Sequence, residues 1–274
     1  MIILYKIIGF LINLISLISP KLGGHIALTF FSRPQKGRIK EKDYDFLNTA
    51  FKEELNHEKY SVMTYRWVGN NKTILLAHGW ESNSARWMNL IKQLRAHDYN
   101  IIALDAPAHG RSGSKSFNAI LYSEFIHIVA NKFDPDVIIG HSVGGMASVF
   151  YQHKYQNPEL EKLVLLGAPS NFRDVFKRYI KLMSYNRIVD KAMSRIVEKK
   201  YGHLPDYFSA ADFAKEIEAK GLIIHDEKDR VIPYTDAKHL EEGFRNAQLV
   251  TTQGYGHSLN NDTVTKHIKA FIAD

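Results

Sequence analysis

Short apolar runs alternate with helical patterns from residue 47 onward. The runs are apolar at nearly every position, as in strands that are buried on both faces of a parallel sheet; they cover residues 73–77, 101–105, 136–140, 161–167, 221–225 and 247–252. Helical periodicity separates them, at about 84–96, 117–132, 143–155, 235–243 and 262–272. Residues 47–55 and 59–68 are expected to open the sheet as an antiparallel pair. This order predicts a mostly parallel, doubly wound α/β sheet.

The N-terminal segment, residues 2–19, is nearly all apolar. Its exceptions are three or four residues apart and share one helical stripe: Lys6, Gly9, Asn13 and Ser16. The pattern predicts an amphipathic helix with a wide apolar face. A basic tract follows: Lys21, Arg33, Lys36, Arg38, Lys40 and Lys42. We expect residues 1–46 to precede an α/β domain at 47–274.

Three roles for this helix stay open: docking on its own domain or on a partner, anchoring at a membrane interface, and spanning a bilayer. It would be about 27 Å long, which barely crosses a hydrocarbon core. A secretory signal peptide fits poorly, because Lys6 interrupts the apolar run and no small-residue cleavage motif precedes Pro20. The positive-inside rule would keep the main domain cytoplasmic even if the helix were inserted. We therefore expect a cytoplasmic location, with peripheral association at the inner membrane face as the alternative.

One connection is much longer than the others. About fifty residues separate Pro169 from Lys220, far more than a normal crossover needs, and they carry helical patterns. We interpret residues 170–220 as a helical cap insertion that covers one end of the sheet. Between Asn171 and Lys200 nine basic and three acidic residues give +6, nearly the whole net charge of +7. Three alternatives explain this charge: a solvated basic face, an anionic substrate, or an anionic membrane surface that the insertion shares with the N-terminal helix.

Composition excludes several classes of protein. The chain has 274 residues, of which 45% are hydrophobic and 24% charged, as in globular proteins. The absence of cysteine excludes disulfides, thiolate metal sites and cysteine nucleophiles, and it favours a reducing compartment. Neither a dinucleotide or phosphate-binding glycine motif nor a metal-ligand spacing occurs. We therefore expect no cofactor, no metal and no nucleic-acid partner.

A candidate nucleophile follows the apolar run at 136–140. The sequence Gly140-His141-Ser142-Val143-Gly144 stands between a predicted strand and a predicted helix. A serine hydroxyl needs a sharp strand-to-helix turn to expose it to a base, and the flanking glycines permit that turn. The alternative is a tight turn with an incidental serine.

Candidate acids and a base follow two later strands. Asp226, Glu227 and Asp229 come after the run at 221–225, and His257 comes after the run at 247–252. The carboxyl ends of parallel strands lie at one edge of the sheet, so these residues are expected to converge with Ser142. In enzymes that place a serine nucleophile at such a strand-to-helix turn, the acid and then the histidine follow it along the chain.

Over about residues 47–274 the sequence resembles the α/β-hydrolase superfamily, and within it the single-domain bacterial esterases and lipases. Leu76 to Trp80 resembles the oxyanion-hole strand end of that family, Leu104 to Ser112 its D-x-x-x-H-G-x-S turn, and Gly140 to Gly144 its nucleophile elbow. In the family an H-x-x-x-D pattern at a strand end carries the acid; the match here runs from His225 to Asp229, which implies Asp229. Asp226 stands where glycine is usual and is a rival acid, or it occupies a left-handed turn.

The resemblance implies a carboxylesterase or lipase-like serine hydrolase (EC 3.1.1) that acts on a small-molecule ester and needs no cofactor. Ser142 would attack the carbonyl, His257 would transfer the proton, and Asp229 would orient His257. The N–H groups of Trp80 and Val143 would form the oxyanion hole. A serine at the elbow disfavours haloalkane dehalogenase and epoxide hydrolase chemistry, which uses a carboxylate there. Thioester, amide and carbon–carbon bond hydrolysis stay open, as does a non-catalytic binding or membrane-associated protein.

Other polar residues near these strand ends are expected to have structural roles. His78, Asp105 and His109 lie in loops after the runs at 73–77 and 101–105, where such residues usually brace turns. His141 is expected to pack or to donate a hydrogen bond beneath the elbow. The Trp80 side chain has two open roles, as a wall of an acyl pocket or as packing beneath the insertion.

Overall fold

A computed structural model describes residues 2–57 and 59–274; Met1 and Glu58, which the expected segments include, lie outside the described residues. The helices are α1 (Ile2–Ile18), α2 (Pro20–Ser32), α3 (Glu41–Leu47), α4 (Met88–Arg95), α5 (Ala119–Phe133), α6 (Val143–Tyr155), α7 (Phe172–Met183), α8 (Arg187–Tyr201), α9 (Ala210–Phe213), α10 (Tyr234–Gly243) and α11 (Asp262–Ala273). The strands are β1 (Phe51–His57), β2 (Tyr60–Trp67), β3 (Asn71–Ala77), β4 (Tyr99–Leu104), β5 (Val137–His141), β6 (Lys162–Leu166), β7 (Lys220–Asp226) and β8 (Ala247–Thr252).

The eight strands form one sheet in the order β1-β2-β4-β3-β5-β6-β7-β8. Strand β2 is antiparallel to both its neighbours, and all later pairs are parallel. Helices follow most of the parallel strands, so the predicted doubly wound α/β class is confirmed. The central strands are buried on both faces, as their continuous apolar runs require.

The predicted first strand begins too early. Residues 47–50 are not extended, because Leu47 ends α3 with its side chain buried in the core. The Asn48 N–H then donates to Tyr44, and the chain becomes extended only at Phe51. Leu47, the apolar residue that suggested a strand, therefore belongs to a short helix.

Asparagine side chains determine where several helices begin. The side chains of Asn118, Asn171, Asn186 and Asn261 accept hydrogen bonds from the first turns of α5, α7, α8 and α11. Such N-caps satisfy backbone N–H groups that have no partner within the helix. Two of these caps, Asn171 and Asn186, start the helices of the insertion.

The chain folds as two compact units. One, here called the helical unit, consists of the chain up to Arg33 together with Asn171–Ser209; the other, the sheet unit, consists of Pro34–Ser170 and Ala210–Asp274. The insertion is helical as predicted, with α7 and α8, and these helices join α1 and α2 in the helical unit. No helix in the described part of the chain has both the length and the hydropathy required to span a membrane.

Small residues bring the helices of the helical unit into close contact. A Cβ on Gly9 of α1 would lie 1.7 Å from the carbonyl oxygen of Met183, which ends α7. A Cβ on Gly24 of α2 would lie 2.7 Å from the Cβ of Ala192 in α8. Asn13 adds polar contacts, because its Nδ2 donates to the Ser184 carbonyl at 2.9 Å. Of the predicted stripe, Gly9, Asn13 and Ser16 form the face that α1 packs against its neighbours, whereas Lys6 is exposed.

Candidate active site

Ser142 lies in a strained turn between β5 and α6. Its backbone has φ 53° and ψ −126°, and the residue is 5% exposed. A positive φ is unfavourable for a residue with a side chain. The turn is possible because a Cβ on Gly140 would lie 2.5 Å from the Cα of Gly145, and one on Gly144 would lie 2.2 Å from the carbonyl oxygen of Ala77. Both glycines are required where the elbow meets the neighbouring backbone.

A continuous hydrogen-bonded chain links Ser142 to His257 and Asp229. His257 Nε2 lies 3.0 Å from Ser142 Oγ, and His257 Nδ1 lies 2.7 Å from Asp229 Oδ2. A carboxylate only accepts hydrogen bonds, so Nδ1 carries the proton and Nε2 is free to accept from the serine hydroxyl. The Asp229 side chain is fully buried, whereas His257 is 20% exposed. The geometry is that of a nucleophile, a base and an orienting acid.

The Asp229 carboxylate is held in its charged form. Burial alone would raise its pKa, but hydrogen bonds from His225, His257 and the backbone N–H groups of Ile232 and Val231 outweigh it and lower the pKa below the ordinary range. The Val231 and Ile232 N–H groups donate to Oδ1 at 2.7 and 3.0 Å, while Oδ2 lies 2.7 Å from His257 Nδ1 and 3.4 Å from His225 Nε2. A buried carboxylate with these donors stays charged at neutral pH and can stabilise a protonated His257.

Asp226 does not contact His257 in this way. Its Oδ2 accepts from the Tyr255 N–H at 2.8 Å and from Thr252 Oγ1 at 2.9 Å, and its Oδ1 accepts from Lys228 and Gly254. The suggestion that Asp226 occupies a left-handed turn is wrong, because it ends β7 and is not among the described residues with positive φ. Its carboxylate braces the loop that carries His257.

His141 and Arg86 also hold the loop that carries His257. His141 Nε2 lies 2.8 Å from the His257 carbonyl, so this nitrogen donates and Nδ1 is unprotonated. Burial, with help from the nearby charge of Arg86, lowers the pKa of His141, so the ring is neutral. Arg86 itself donates from Nη2 to the Ser258 carbonyl at 2.8 Å. The expected hydrogen bond of His141 is present, and the H-x-x-x-D pattern had paired His225 with Asp229, but no sequence pattern pointed to Arg86.

Two neutral histidines brace the loop that follows β3. The Ala106 N–H donates to His78 Nε2 at 2.9 Å, and the Glu81 N–H donates to His109 Nε2 at 2.9 Å. Each ring donates through Nδ1 to a carbonyl, which fixes its tautomer. Burial lowers the pKa of both rings, that of His109 to about 4. Both histidines therefore have bracing roles, as expected.

The buried Asp105 carboxylate accepts hydrogen bonds from the same region. Its Oδ1 accepts from the N–H and hydroxyl of Ser84 at 2.9 and 2.7 Å, and its Oδ2 accepts from the Arg111 N–H at 2.9 Å and from Tyr65 at 3.2 Å. Burial raises the pKa of Asp105, and these hydrogen bonds oppose the rise. The carboxylate is fully used in bracing the loops after β3 and β4.

The Trp80 and Val143 N–H groups lie on the two loops beside Ser142. A Cβ on Gly79 would lie 2.9 Å from the Ser142 Cβ, which puts the Trp80 loop next to the serine. Val143 follows Ser142 and begins α6, where backbone N–H groups have no helical partner. Among the described residues, neither N–H donates a hydrogen bond within the protein. The Trp80 ring packs against His109 and Phe117, with ring centroids 5.6 and 5.2 Å away.

No group of three or more described histidine, aspartate or glutamate side chains is arranged to hold a metal ion. The carboxylates nearest to Ser142 are engaged with histidine and backbone donors, as described above. The arrangement brings a serine hydroxyl, an imidazole and a buried carboxylate into one hydrogen-bonded chain.

Comparisons with known proteins point to one fold family. A family model described as alpha/beta hydrolase fold matches residues 72–188, and one described as TAP-like protein matches residues 207–274. A bifunctional esterase/perhydrolase of Acinetobacter calcoaceticus is 26% identical over 250 residues, covering 73% of this chain and 91% of the relative. A monoacylglycerol lipase of Mycolicibacterium smegmatis is 26% identical over 236 residues, covering 70% and 83%.

Solved structures show the same fold. An esterase from Exiguobacterium antarcticum superimposes with a TM-score of 0.64 at 17% identity, covering 82% of this chain and 100% of that one. The matched regions contain β3 to β8 and the loops that carry Ser142, Asp229 and His257. With its sheet order, its strand-to-helix serine turn and these relatives, the chain belongs to the α/β-hydrolase superfamily.

Proposed function

We propose that this protein is a serine hydrolase that cleaves carboxylic esters through an acyl-enzyme intermediate, with Ser142 as nucleophile, His257 as base and Asp229 as orienting acid. The observation that carries the proposal is the hydrogen-bonded chain from Ser142 Oγ through His257 to the buried Asp229 carboxylate. The strained backbone of Ser142 supports it, because strain of this kind persists where the surrounding structure imposes it, often at active sites.

In the first half of the reaction Ser142 Oγ attacks the ester carbonyl carbon while His257 Nε2 takes the hydroxyl proton. The carbonyl π electrons move to oxygen, and the N–H groups of Trp80 and Val143 donate to that oxyanion. Asp229 stabilises the imidazolium that forms. The carbon–oxygen bond to the alcohol then breaks, His257 returns the proton to the leaving alkoxide, and the acyl group stays on Ser142.

The second half repeats these steps with water. His257 Nε2 takes a proton from the water as its oxygen attacks the acyl carbon. The tetrahedral intermediate collapses, the bond to Ser142 Oγ breaks, and the proton passes from His257 to the serine oxygen. The products are a carboxylic acid and the free enzyme, and no cofactor enters either half.

The choice of an ester rests on the relatives. An esterase/perhydrolase and a monoacylglycerol lipase are among them, and both names describe carboxylic-ester chemistry of those proteins. The same three side chains can hydrolyse thioesters, amides or carbon–carbon bonds. The type of bond that is cleaved is therefore the part of the proposal that needs direct measurement.

The test is hydrolysis of p-nitrophenyl esters from acetate to palmitate. We expect turnover by the wild type and a loss of at least about 10⁴-fold in kcat for Ser142→Ala and for His257→Ala. Ser123→Ala, a buried serine on α5, and His239→Ala, an exposed histidine on α10, serve as matched controls and should retain activity.

Labelling with a fluorophosphonate probe separates the mechanism from the substrate. The probe should attach to the wild type and not to Ser142→Ala. Labelling without turnover of any ester would retain the serine mechanism and contradict ester specificity. Absence of both labelling and turnover would contradict the proposal and favour a non-catalytic member of the superfamily.

A further inference from the structure

Helix α1 presents its apolar side chains outward. Eight large apolar side chains between Ile3 and Ile18 are exposed, among them Phe10 at 60%, Leu17 at 65% and Ile18 at 92%. At 100° per residue these eight positions cover an arc of about 140° around the helix. All eight are isoleucine, leucine or phenylalanine, so the arc contains no polar side chain.

The opposite side of α1 is already occupied. Gly9, Asn13 and Ser16 face the rest of the helical unit, where Gly9 touches Met183 and Asn13 bonds to Ser184 and Asn186. Apart from Lys6, the polar stripe of this helix is thus turned inward and the apolar face outward, the reverse of a surface helix in water. Contiguous apolar surface of this kind marks an interaction site.

The helical unit also carries the positive charge of the chain. It contains twelve Lys and Arg and four Asp and Glu, a net +8, whereas the sheet unit contains 24 and 25, a net −1. Lys6 lies three residues from Ile3 and four from Phe10, at the border of the exposed arc, and Lys21 adjoins the exposed Leu22. Cations therefore flank the apolar face.

We propose that α1 lies in the headgroup region of an anionic lipid bilayer, with its exposed apolar arc toward the acyl chains and the basic residues of the helical unit on lipid phosphates. Apolar residues beside lysines are the composition of interfacial helices. Protein–protein interfaces carry about one hydrogen bond per 100–200 Å², and the arc offers no side chain to make one. Since one side of α1 is packed along its length, the helix lies parallel to the membrane plane.

The test is sedimentation of the full-length protein with vesicles of phosphatidylcholine, with and without phosphatidylserine. Ser142→Ala is used as the background so that no lipid is hydrolysed, which keeps this test independent of the proposed esterase function. We expect binding to the vesicles that contain phosphatidylserine, and weaker binding at high salt. If the protein with an unchanged α1 stayed in the supernatant with both vesicle types, the proposal would be overturned.

Two variants locate the contact. Ile7→Gln with Phe10→Gln and Leu17→Gln should weaken partitioning at least about hundredfold, since three apolar side chains no longer enter the bilayer. Lys6→Gln with Lys21→Gln should weaken it about twentyfold. These side chains are exposed, so circular dichroism should show unchanged helix content in solution.

Matched controls come from the sheet unit. Phe51→Gln with Val68→Gln removes exposed apolar residues, and Lys92→Gln with Lys266→Gln removes exposed cations, and neither pair should alter binding. Equal loss from the control and α1 variants would contradict a specific face. If the apolar α1 variant abolished self-association of the protein and vesicles bound neither form, the arc would be an interface for a second copy of the chain and the bilayer proposal would be wrong.

Discussion

Asp226 and Asp229 are three residues apart at the end of β7, and their carboxylates accept hydrogen bonds from different donors. Asp229 accepts from His257, whereas Asp226 accepts from backbone and hydroxyl groups of the following loop. Chain order alone allowed either residue to be the acid. The orientation of each carboxylate separates them, because only Asp229 Oδ2 reaches the imidazole.

This difference predicts opposite effects of isosteric substitutions. In Asp229→Asn the amide oxygen can still accept from Val231 and Ile232, so its NH₂ faces His257 and forces the wrong tautomer. We expect kcat on a p-nitrophenyl ester to fall about 10³- to 10⁴-fold with little change in Tm. In Asp226→Asn an NH₂ group faces a backbone N–H, so stability should fall by about 1.5–3 kcal/mol with a much smaller loss of kcat.

The measurements are steady-state kinetics and thermal unfolding of both variants beside the wild type. If Asp226→Asn lost as much kcat as Asp229→Asn while its Tm was unchanged, the roles assigned to the two carboxylates would have to be exchanged.

At the scale of elements, the packing of α1 depends on one small residue. Glycine is about 1 kcal/mol less favourable than alanine within a helix, so Gly→Ala substitutions usually stabilise helices. At Gly9 the added Cβ would lie 1.7 Å from the Met183 carbonyl oxygen, a contact that backbone cannot relieve without moving α1 away from α7.

We therefore predict that Gly9→Ala destabilises the protein by about 1–3 kcal/mol despite its better helix propensity. Chemical denaturation measures the change. Leu11→Ala is the matched control on the same helix, because Leu11 is exposed, and it should stay within about 0.5 kcal/mol of the wild type. A Gly9→Ala protein that is more stable than the wild type would show that α1 does not pack against Met183.

At the scale of the whole molecule, buried neutral histidines couple stability to pH. Burial lowers the pKa of His109 to about 4 and lowers the pKa values of His78 and His141 as well. An unfolded histidine titrates at about 6.5, so below that pH the unfolded chain binds protons that the folded protein does not. The contribution of these histidines to the free energy of unfolding is therefore fully present above pH 6.5. It is lost as the pH falls toward the pKa values that they have in the folded protein. The lowered pKa values of Asp226 and Asp229 act in a separate window, below about pH 4.

We predict that Tm falls by about 10 °C between pH 7 and pH 5. His109→Gln retains an acceptor for the Glu81 N–H and a donor for the Pro107 carbonyl, and its Tm should fall by about one third less over the same range. His239→Gln, at an exposed position, should keep the wild-type dependence. If Tm fell equally with pH in His109→Gln and in the wild type, folding would not lower the pKa of His109, and the prediction would be wrong.

The charge distribution is also a property of the whole chain and not of any one element. The N-terminal segment and the insertion are far apart in sequence, yet they form one unit with a net +8. From the sequence, a membrane surface shared by the basic insertion and the apolar N-terminal helix was one of several alternatives. Their union in the fold is what makes the proposed membrane contact specific.

The sequence by itself determined the fold class and the strand ends that carry the proposed catalytic residues. Apolar runs and helical periodicity are local signals, and parallel topology then brings the ends of β5, β7 and β8 to one edge. The resemblance implied Asp229 as the acid. Tertiary structure alone decided that Asp226 braces the loop of His257, that Arg86 holds the same loop, and that α1 turns its apolar side outward. Those outcomes depend on distances between residues remote in sequence, such as Gly9 and Met183, and no local pattern encodes a distance of that kind.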